Sequence, residues 1–490
     1  MTTDTFLGID LGTSEVKLLL MDGQGGIVGT AGAPLALSRP QPLWSEQDPA
    51  AWWQGTEAAV AALRAAHPAA FARVRGIGLS GQMHGAVLLG ADDGVLRPAI
   101  LWNDGRSHAE CAEMTRAEPS LHEVAGNLAM PGFTAPKLLW VRRHEPAVFA
   151  ATRSVLLPKD YLRLRLTGEK VSDPSDAAGT LWLDVARRDW SDVLLAACGL
   201  QRSHMPRLVE GTEPSGTLRP ELARAWGLGP GVIVAGGAGD NAASAVGVGA
   251  VAPGDGFISL GTSGVLFVVD DRFRPNPESA VHAFCHAVPG LWHQMSVMLS
   301  AASCLRWFTL LAGAADEAQL LLEVAALAPS ERDAAPLFLP YLAGERTPHN
   351  NPFATGTLHG LRHDTGRGAC GYAVLEGVAF GLADGLDALR STGTRVERLS
   401  LVGGGARSPL WAQLIADALG VEIVVHAGAE AGAALGAARL GRIACGQGGL
   451  ESCTRPDAAA SHRPDPVRHV ALQERLQSFR RLYRQIHPLS

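Results

Sequence analysis

The chain lacks most of the features that announce a specialised role. Its seven cysteines (Cys111, Cys198, Cys285, Cys304, Cys370, Cys445 and Cys453) are scattered, odd in number and without a C-x-x-C pair. That removes the usual patterns for zinc or thiol redox chemistry and leaves buried free thiols in a reducing compartment as the expectation. Basic residues do not outnumber acidic ones: 42 Lys and Arg stand against 48 Asp and Glu, a formal net charge of −6 with no basic cluster. Neither nucleic acid nor an anionic membrane surface is expected as a partner, and a small molecule is. No apolar run is expected to span a membrane, and Met1-Thr2-Thr3-Asp4-Thr5 offers no basic start to a signal segment, so a cytoplasmic location is expected. There is no low-complexity tail, no G-x-x-x-x-G-K-[ST] phosphate loop and no H-R-D-x-x-x-x-N set. If the chain handles a nucleotide, it needs another cradle.

What is present is a repeat. Leu11-Gly12-Thr13-Ser14 returns as Leu260-Gly261-Thr262-Ser263, each time after a short apolar run, in a chain of 490 residues. Such a length predicts two domains, and the repeat predicts that they are duplicates. Each Gly-Thr-Ser turn presents hydroxyls and backbone N–H groups, and two such turns facing each other could hold a polyphosphate. A common hairpin turn recurring by chance is the competing reading of either copy alone.

The first fifty residues read as a meander, Phe6 to Asp10, Val16 to Met21 and Ile27 onward, followed by an amphipathic helix from Pro49 to Ala66. Strands are predicted at Val74 to Leu79 and Ala99 to Trp102. The pattern restarts near Gly229 with a strand at Val232 to Ala235 and an alanine-rich helix, Asn241 to Val248. The domain boundary is placed there, giving 1–245 and 246–490. Helix Tyr372 to Leu389, strand Leu399 to Val402 and a charged helix from about Ala471 to Gln485 complete the outline.

Asp10 ends the first strand at the mouth of the first turn, where one carboxylate beside phosphates would hold Mg²⁺, or would bond its own turn. Asp240 follows Gly237-Ala238-Gly239 at a helix start. Gly237 to Ala242 formally fits a dinucleotide fingerprint, but an acid in the first helical turn opposes a pyrophosphate there. A general base kept ionised by the helix dipole is the first reading of Asp240, and an N-cap the second. Gly403-Gly404-Gly405 offers a surface free of side chains for an adenosine, or simply a tight turn. Gln82-Met83-His84 and Trp102-Asn103-Asp104, at two strand ends, group side chains that bond hydroxyls and suggest a sugar or polyol; singly, His84 and Trp102 would read as structural. The polar loop Glu345 to Asn351 reads as a support, an interface or a solvated loop.

At this point the residues resemble the FGGY family of carbohydrate kinases. Met130-Pro131-Gly132-Phe133-Thr134-Ala135-Pro136-Lys137-Leu138-Leu139-Trp140 resembles its first signature, and the stretch from Gly356 through Glu376 to Gly381 its second. Leu43 to Pro49, Gly81 to Gly85, Ile100 to Arg106, Pro158 to Tyr161 and Ser172 to Thr180 resemble the members that act on D-xylulose. The resemblance implies an α/β fold of two duplicated ribonuclease-H-like domains, as in actin and hexokinase, around a cleft, with sugar on the first and nucleotide on the second. It implies ATP-dependent phosphorylation of D-xylulose at O5, with ATP and Mg²⁺ required. Asp240 would be the base and Asp10 the aspartate at metal and phosphates, both being candidate metal holders. Met83 and His84 would contact the sugar, with Trp102, Asn103, Asp104 and Asn241 lining the same cleft. Gly12, Thr13, Ser14, Gly261, Thr262, Ser263, Gly404 and Gly405 would hold the nucleotide. Ala238 departs from an expected glycine-only turn. A kinase of ribulose, L-xylulose or another polyol, or an actin-like ATP-gated binding protein, are the readings to be beaten, and a homodimer is the expected assembly.

Overall fold

The leucine- and valine-rich runs at the start of the chain fold as a hairpin because Gly12, Thr13 and Ser14 close it: Leu11 pairs with Val16 across the turn. The computed structural model describes residues 4–426 and 432–488; the first three residues of the N-terminal segment lie outside them. In chain order, the elements that position the site begin with β1 (Thr5–Leu11), β2 (Glu15–Asp22) and β3 (Ile27–Pro34). Helix α1 (Pro49–Ala66) starts where the Asp48 carboxylate accepts the Ala50 N–H and Pro49 fixes the first turn; it buries Trp52, Trp53, Val60 and Leu63. There follow β4 (Val74–Gly81), α2 (Thr134–His144), α3 (Pro158–Thr167), β5 (Pro214–Thr217), β6 (Ile233–Ala235), β7 (Ala238–Gly239) and α4 (Asp240–Gly247). The second half carries β8 (Gly256–Leu260), β9 (Gly264–Asp270), β10 (His282–Cys285), β11 (Trp292–Met298), α5 (Ala302–Leu311) and α6 (Arg367–Arg390). It ends with β12 (Arg398–Val402), β13 (Glu422–His426), α7 (Gly432–Ala444), β14 (Ala458–His462) and α8 (Pro466–Ile486).

The duplication is visible in the sheets. The first runs β5-β6-β4-β1-β2-β3 with β7 also on β4, and the second runs β10-β11-β9-β8-β12-β13-β14. In each, a three-stranded antiparallel meander is extended on its first strand by two parallel strands: β4 and β6 beside β1, β12 and β13 beside β8. The repeat predicted the duplication, and the family resemblance implied the ribonuclease-H-like order. The two Gly-Thr-Ser turns close equivalent hairpins.

Some expectations need adjustment. The strand at Ala99 is short, ending at Ile100, and the alanine-rich helix starts one residue early, on Asp240 itself. Helix α6 is long and apolar enough to cross a membrane by length and composition, contrary to the reading of the hydropathy, but it is a core helix packed on all sides. All seven cysteines are free, yet only Cys198, Cys285, Cys304 and Cys453 are buried; Cys111, Cys370 and Cys445 are half-exposed.

The two halves meet through small residues. Helix α7, from the second half, lies across β1 and β4 of the first sheet, and a Cβ on Gly8 or Gly78 would fall 1.9 Å from the Ala434 carbonyl oxygen or 1.7 Å from that of Ala437. On its other side α7 crosses α4, where a Cβ on Gly436 would lie 1.8 Å from the Ala243 carbonyl oxygen. Neither backbone can yield locally, so overpacking here should cost about 3 kcal/mol or more. Gly78→Ala and Gly436→Ala are each expected to lower the thermal midpoint by several degrees, whereas Gly366→Ala, with no heavy atom within 4 Å of the added carbon, should leave it unchanged. Differential scanning fluorimetry of the three variants checks this.

Candidate active site

The parallel register of β1 and β4 sets Asp10 opposite Ser80, whose hydroxyl donates to Asp10 Oδ1 at 2.9 Å. Burial raises the Asp10 carboxyl above its usual range; Ser80 and Lys17 oppose this and Glu15 adds to it. Asp240 opens α4, and its Oδ1 accepts the Asn241 backbone N–H at 2.7 Å and amide N–H at 2.9 Å. Burial first, then the charge of Asp10, push Asp240 up to about 7, while the Asn241 bonds pull the other way. The structure therefore brings the two carboxylates within electrostatic reach of each other, although 230 residues of chain separate them. The helix dipole does not keep Asp240 a strong acid, as its place at a helix start had suggested; desolvation and a like charge outweigh it. Nor is it an N-cap, since Gly239 holds that position. A carboxylate poised near neutrality suits proton abstraction better than a fully ionised one. The two Asn241 bonds anchor Asp240 Oδ1 at the start of α4.

Both turns stand open at their sheet ends. Thr13 is braced on three sides: its hydroxyl donates to Gln82 Oε1 and accepts from Trp102 Nε1, both at 2.9 Å, and its carbonyl accepts Gln47 Nε2 at 2.7 Å. The second turn rests on the start of α5, where the Gly261 and Thr262 carbonyls accept the N–H groups of Ala302 and Ala301. Gly403, left-handed at φ 91°, packs against the backbone of Leu260, and Gly405 against the Leu260 side chain. Gly404 faces open space beside that turn. The glycine run and the second turn thus form one surface.

Met83 packs on Gly239, directly before Asp240, where an added Cβ would meet its Sδ at 2.9 Å. His84 holds an unusual left-handed conformation, φ 69°, kept by its surroundings: its carbonyl accepts from Thr134 Oγ1 and from the buried Lys137 Nζ at 2.8 Å, and its Nδ1 bonds the Gly179 carbonyl at 2.7 Å. A carbonyl only accepts, so Nδ1 carries the proton and Nε2 is left as an acceptor. Burial lowers His84 to about 3, so the ring is neutral. Trp102 is half-exposed, with its indole N–H committed to Thr13, and Asn103 is exposed beside it. Asp104 is a correction. Its Oδ2 accepts the Ser45 N–H and Arg106 Nη2, and its Oδ1 the Arg106 N–H, at 2.6 to 2.9 Å; the side chain is closed to solvent. A buried carboxylate must find partners, and Asp104 has found them in Arg106, itself stacked 3.6 Å over Trp44. It supports the site rather than facing a ligand.

Three contributors escaped the sequence reading: Ser80, Gln47 and the pair Thr134 and Lys137. The Ser80 contact could have been found by counting both strands back from their polar ends. As to Ala238, the turn it was suspected of straining has its left-handed residue at Gly237, φ 73°, while Ala238 itself is extended in β7.

Among the described residues no group of three or more His, Cys, Asp or Glu could cage a metal. Asp10 and Asp240 nevertheless fit Mg²⁺, which keeps several waters and takes one or two carboxylates together with phosphates. Two buried carboxylates, one raised in part by the charge of the other, are a donor pair that a divalent cation would relieve.

Comparison with known proteins settles the kinship. The N-terminal domain of the FGGY family of carbohydrate kinases matches residues 5–247 and its C-terminal domain residues 256–445. The chain belongs to this family. It is 53% identical to the xylulose kinase of Escherichia coli K12 and 52% identical to that of Klebsiella pneumoniae, each over 99% of both chains. Of solved structures, one titled a xyloylose kinase from Brucella ovis superposes with TM-score 0.96 at 53% identity, covering 99% of this chain and 100% of that one. The xylulose kinase from Rhodospirillum rubrum follows with 0.92 at 32%, covering 99% of each. In this FGGY kinase the first signature does local work, since Thr134 and Lys137 hold His84, and the second runs into core helix α6 from residue 367, where Glu376 is ion-paired with Arg475 of α8 at 2.6 Å.

The raised Asp240 gives a signed expectation. A carboxyl whose folded value lies above its unfolded one stabilises the fold at low pH, and that contribution is lost as pH rises through the folded value of about 7. Asp240→Asn should therefore melt no lower than the parent, and its midpoint should gain more at about pH 8 than at about pH 5. Melting curves at the two pH values decide it.

Proposed function

We propose that this chain transfers the γ-phosphate of ATP to O5 of D-xylulose, giving D-xylulose 5-phosphate and ADP. The observation that carries the reading is the Asp10 and Asp240 pair, with Asp240 near neutrality, beside Met83 and close to the first Gly-Thr-Ser turn. The substrate identity draws on the full-length likeness to xylulose kinases. Residues 1–245 carry the sugar groups and 246–490 the nucleotide groups in this reading.

Asp240 receives the proton of the O5 hydroxyl as that oxygen attacks phosphorus, and Asn241 keeps Asp240 Oδ1 aimed. Met83, neutral His84 through Nε2, Trp102 and Asn103 position the sugar. The N–H groups of Thr13, Ser14, Thr262 and Ser263 and the hydroxyls of Ser14, Thr262 and Ser263 would meet phosphate oxygens, while Gly12 and Gly261 close the two turns through their own N–H groups, which donate to the Glu15 and Ser263 carbonyls. Asp10 and Asp240 would hold Mg²⁺, which when bound neutralises phosphate charge. Gly404 would give the adenosine a flat backbone surface, whereas Gly405, expected beside it, is buried against the Leu260 side chain.

ADP release from Mg-ATP over D-xylulose, L-xylulose, D-ribulose, L-ribulose, glycerol and a blank tests the function. Stimulation confined to D-xylulose is expected; another sugar would replace the substrate, and steady hydrolysis with none would replace the reading by an ATP-gated binding protein. The nucleotide surface has its own test. Gly404→Ala adds a carbon to open space, so stability should hold while KM for ATP rises about tenfold with KM for sugar unchanged.

A further inference from the structure

Beneath the Asp240 loop lies an ionic cluster closed to solvent. Lys159 Nζ is 2.6 Å from Asp160, 2.7 Å from Asp173 and 3.0 Å from Asp176, and all four side chains are fully buried. Ionised groups at such depth are costly unless something depends on them. What depends on them is the strand-to-helix connection that ends in Asp240. Asp173 takes Lys159 on Oδ2 and, on Oδ1, the Ser175 hydroxyl at 2.5 Å and the Ser175 N–H at 2.9 Å. A hydroxyl donates once, so this bond leaves the Ser175 oxygen only as an acceptor, and it accepts the N–H of Gly239 at 3.2 Å. Arg163, fully buried on the same helix as Lys159, holds the other end of the connection: its guanidinium donates to the carbonyls of Ala235 and Gly236, each at 2.5 Å.

We propose that Ser175 and Arg163 are positioning residues for Asp240, gripping residues 235 to 239 at both ends, and that the Lys159–Asp173 pair fixes the direction in which the Ser175 hydroxyl can bond. Gly239 has Met83 packed on one side and Ser175 on its N–H, so the start of α4, and with it the Asp240 carboxylate, is set by these contacts. The inference rests on the reading of Asp240 as the base.

The test compares Ser175→Ala, Asp240→Asn and the double variant by single-turnover phosphorylation, with KM for ATP and the melting midpoint measured on each. Misplacing a base by about 1 Å costs about 10²-fold, so Ser175→Ala should lose about that factor in turnover with KM for ATP within about twofold. In the Asp240→Asn background the same change should cost less than about threefold, because nothing remains to be positioned. Ser175→Thr, which keeps the hydroxyl, should recover most of the rate. Turnover of Ser175→Ala within about threefold of the parent, or an equal loss with and without Asp240, overturns the inference while leaving the base in place. Near-normal turnover of Asp240→Asn alone overturns the base, and the positioning role with it.

Discussion

The arrangement depends on backbone meeting backbone at one crossing. Helix α7 sits so close to β1, β4 and α4 that Gly8, Gly78 and Gly436 cannot carry a side chain without displacing a carbonyl. Asp10 is the second-last residue of β1, and Asp240 is the first of α4. Both elements touch α7, so the distance between the two carboxylates follows from contacts that contain no catalytic atom. Close packing of this kind transmits displacement instead of absorbing it. A methyl group at Gly78 would shift Asp10 relative to Asp240 before it touched any ligand.

Two groups of buried acids are handled in opposite ways. Around Lys159 and Arg163 the carboxylates are met by cations, which makes the cluster a fixed support. At the cleft, among the described residues, Asp10 takes the Ser80 hydroxyl and Asp240 the Asn241 amide, and burial raises each carboxyl, as it also raises Asp176 within the cluster. Had an arginine been paired with Asp240, the carboxylate would be a permanent anion too weak to take a proton. The burial and like charge that raise Asp240 cost stability, and they are the same property that would make it a usable base in the proposed transfer, a division common where function and stability compete.

Legibility in the sequence followed the range of the interaction. The meander, α1 and the two hairpins were readable because period, capping and turn chemistry are local, as at Asp48-Pro49 and Gly12 to Ser14. The duplication was readable from the tetrapeptide repeat, whereas the order of strands came only with the family resemblance. Asp10 and Asp240 were readable because strand ends and helix starts display polar groups. Asp104 was misread for the same reason: a polar residue at a strand end looks alike whether it faces a ligand or an arginine two residues on. Ser175 and Arg163 were invisible as supports because their partners, Gly239 and Ala235, lie 64 and 72 residues away and depend on how α3 sits under β7. Ala238 drew suspicion only because a glycine-rich run does not say which of its members is left-handed.

The same geometry restricts how the cleft can work. Within the first half, Trp102 and Gln82 both bond Thr13, so the phosphate turn and the sugar-side strand ends are tied into one rigid piece. Within the second half, the turn at Gly261 is seated on α5 and against Gly403 to Gly405. Alignment of the two turns about one polyphosphate is then a matter of the angle between halves, and the α4–α7 crossing leaves no room for sliding. Any rotation of one half against the other about that crossing would move Asp240, the first residue of α4, less than it moves the two turns.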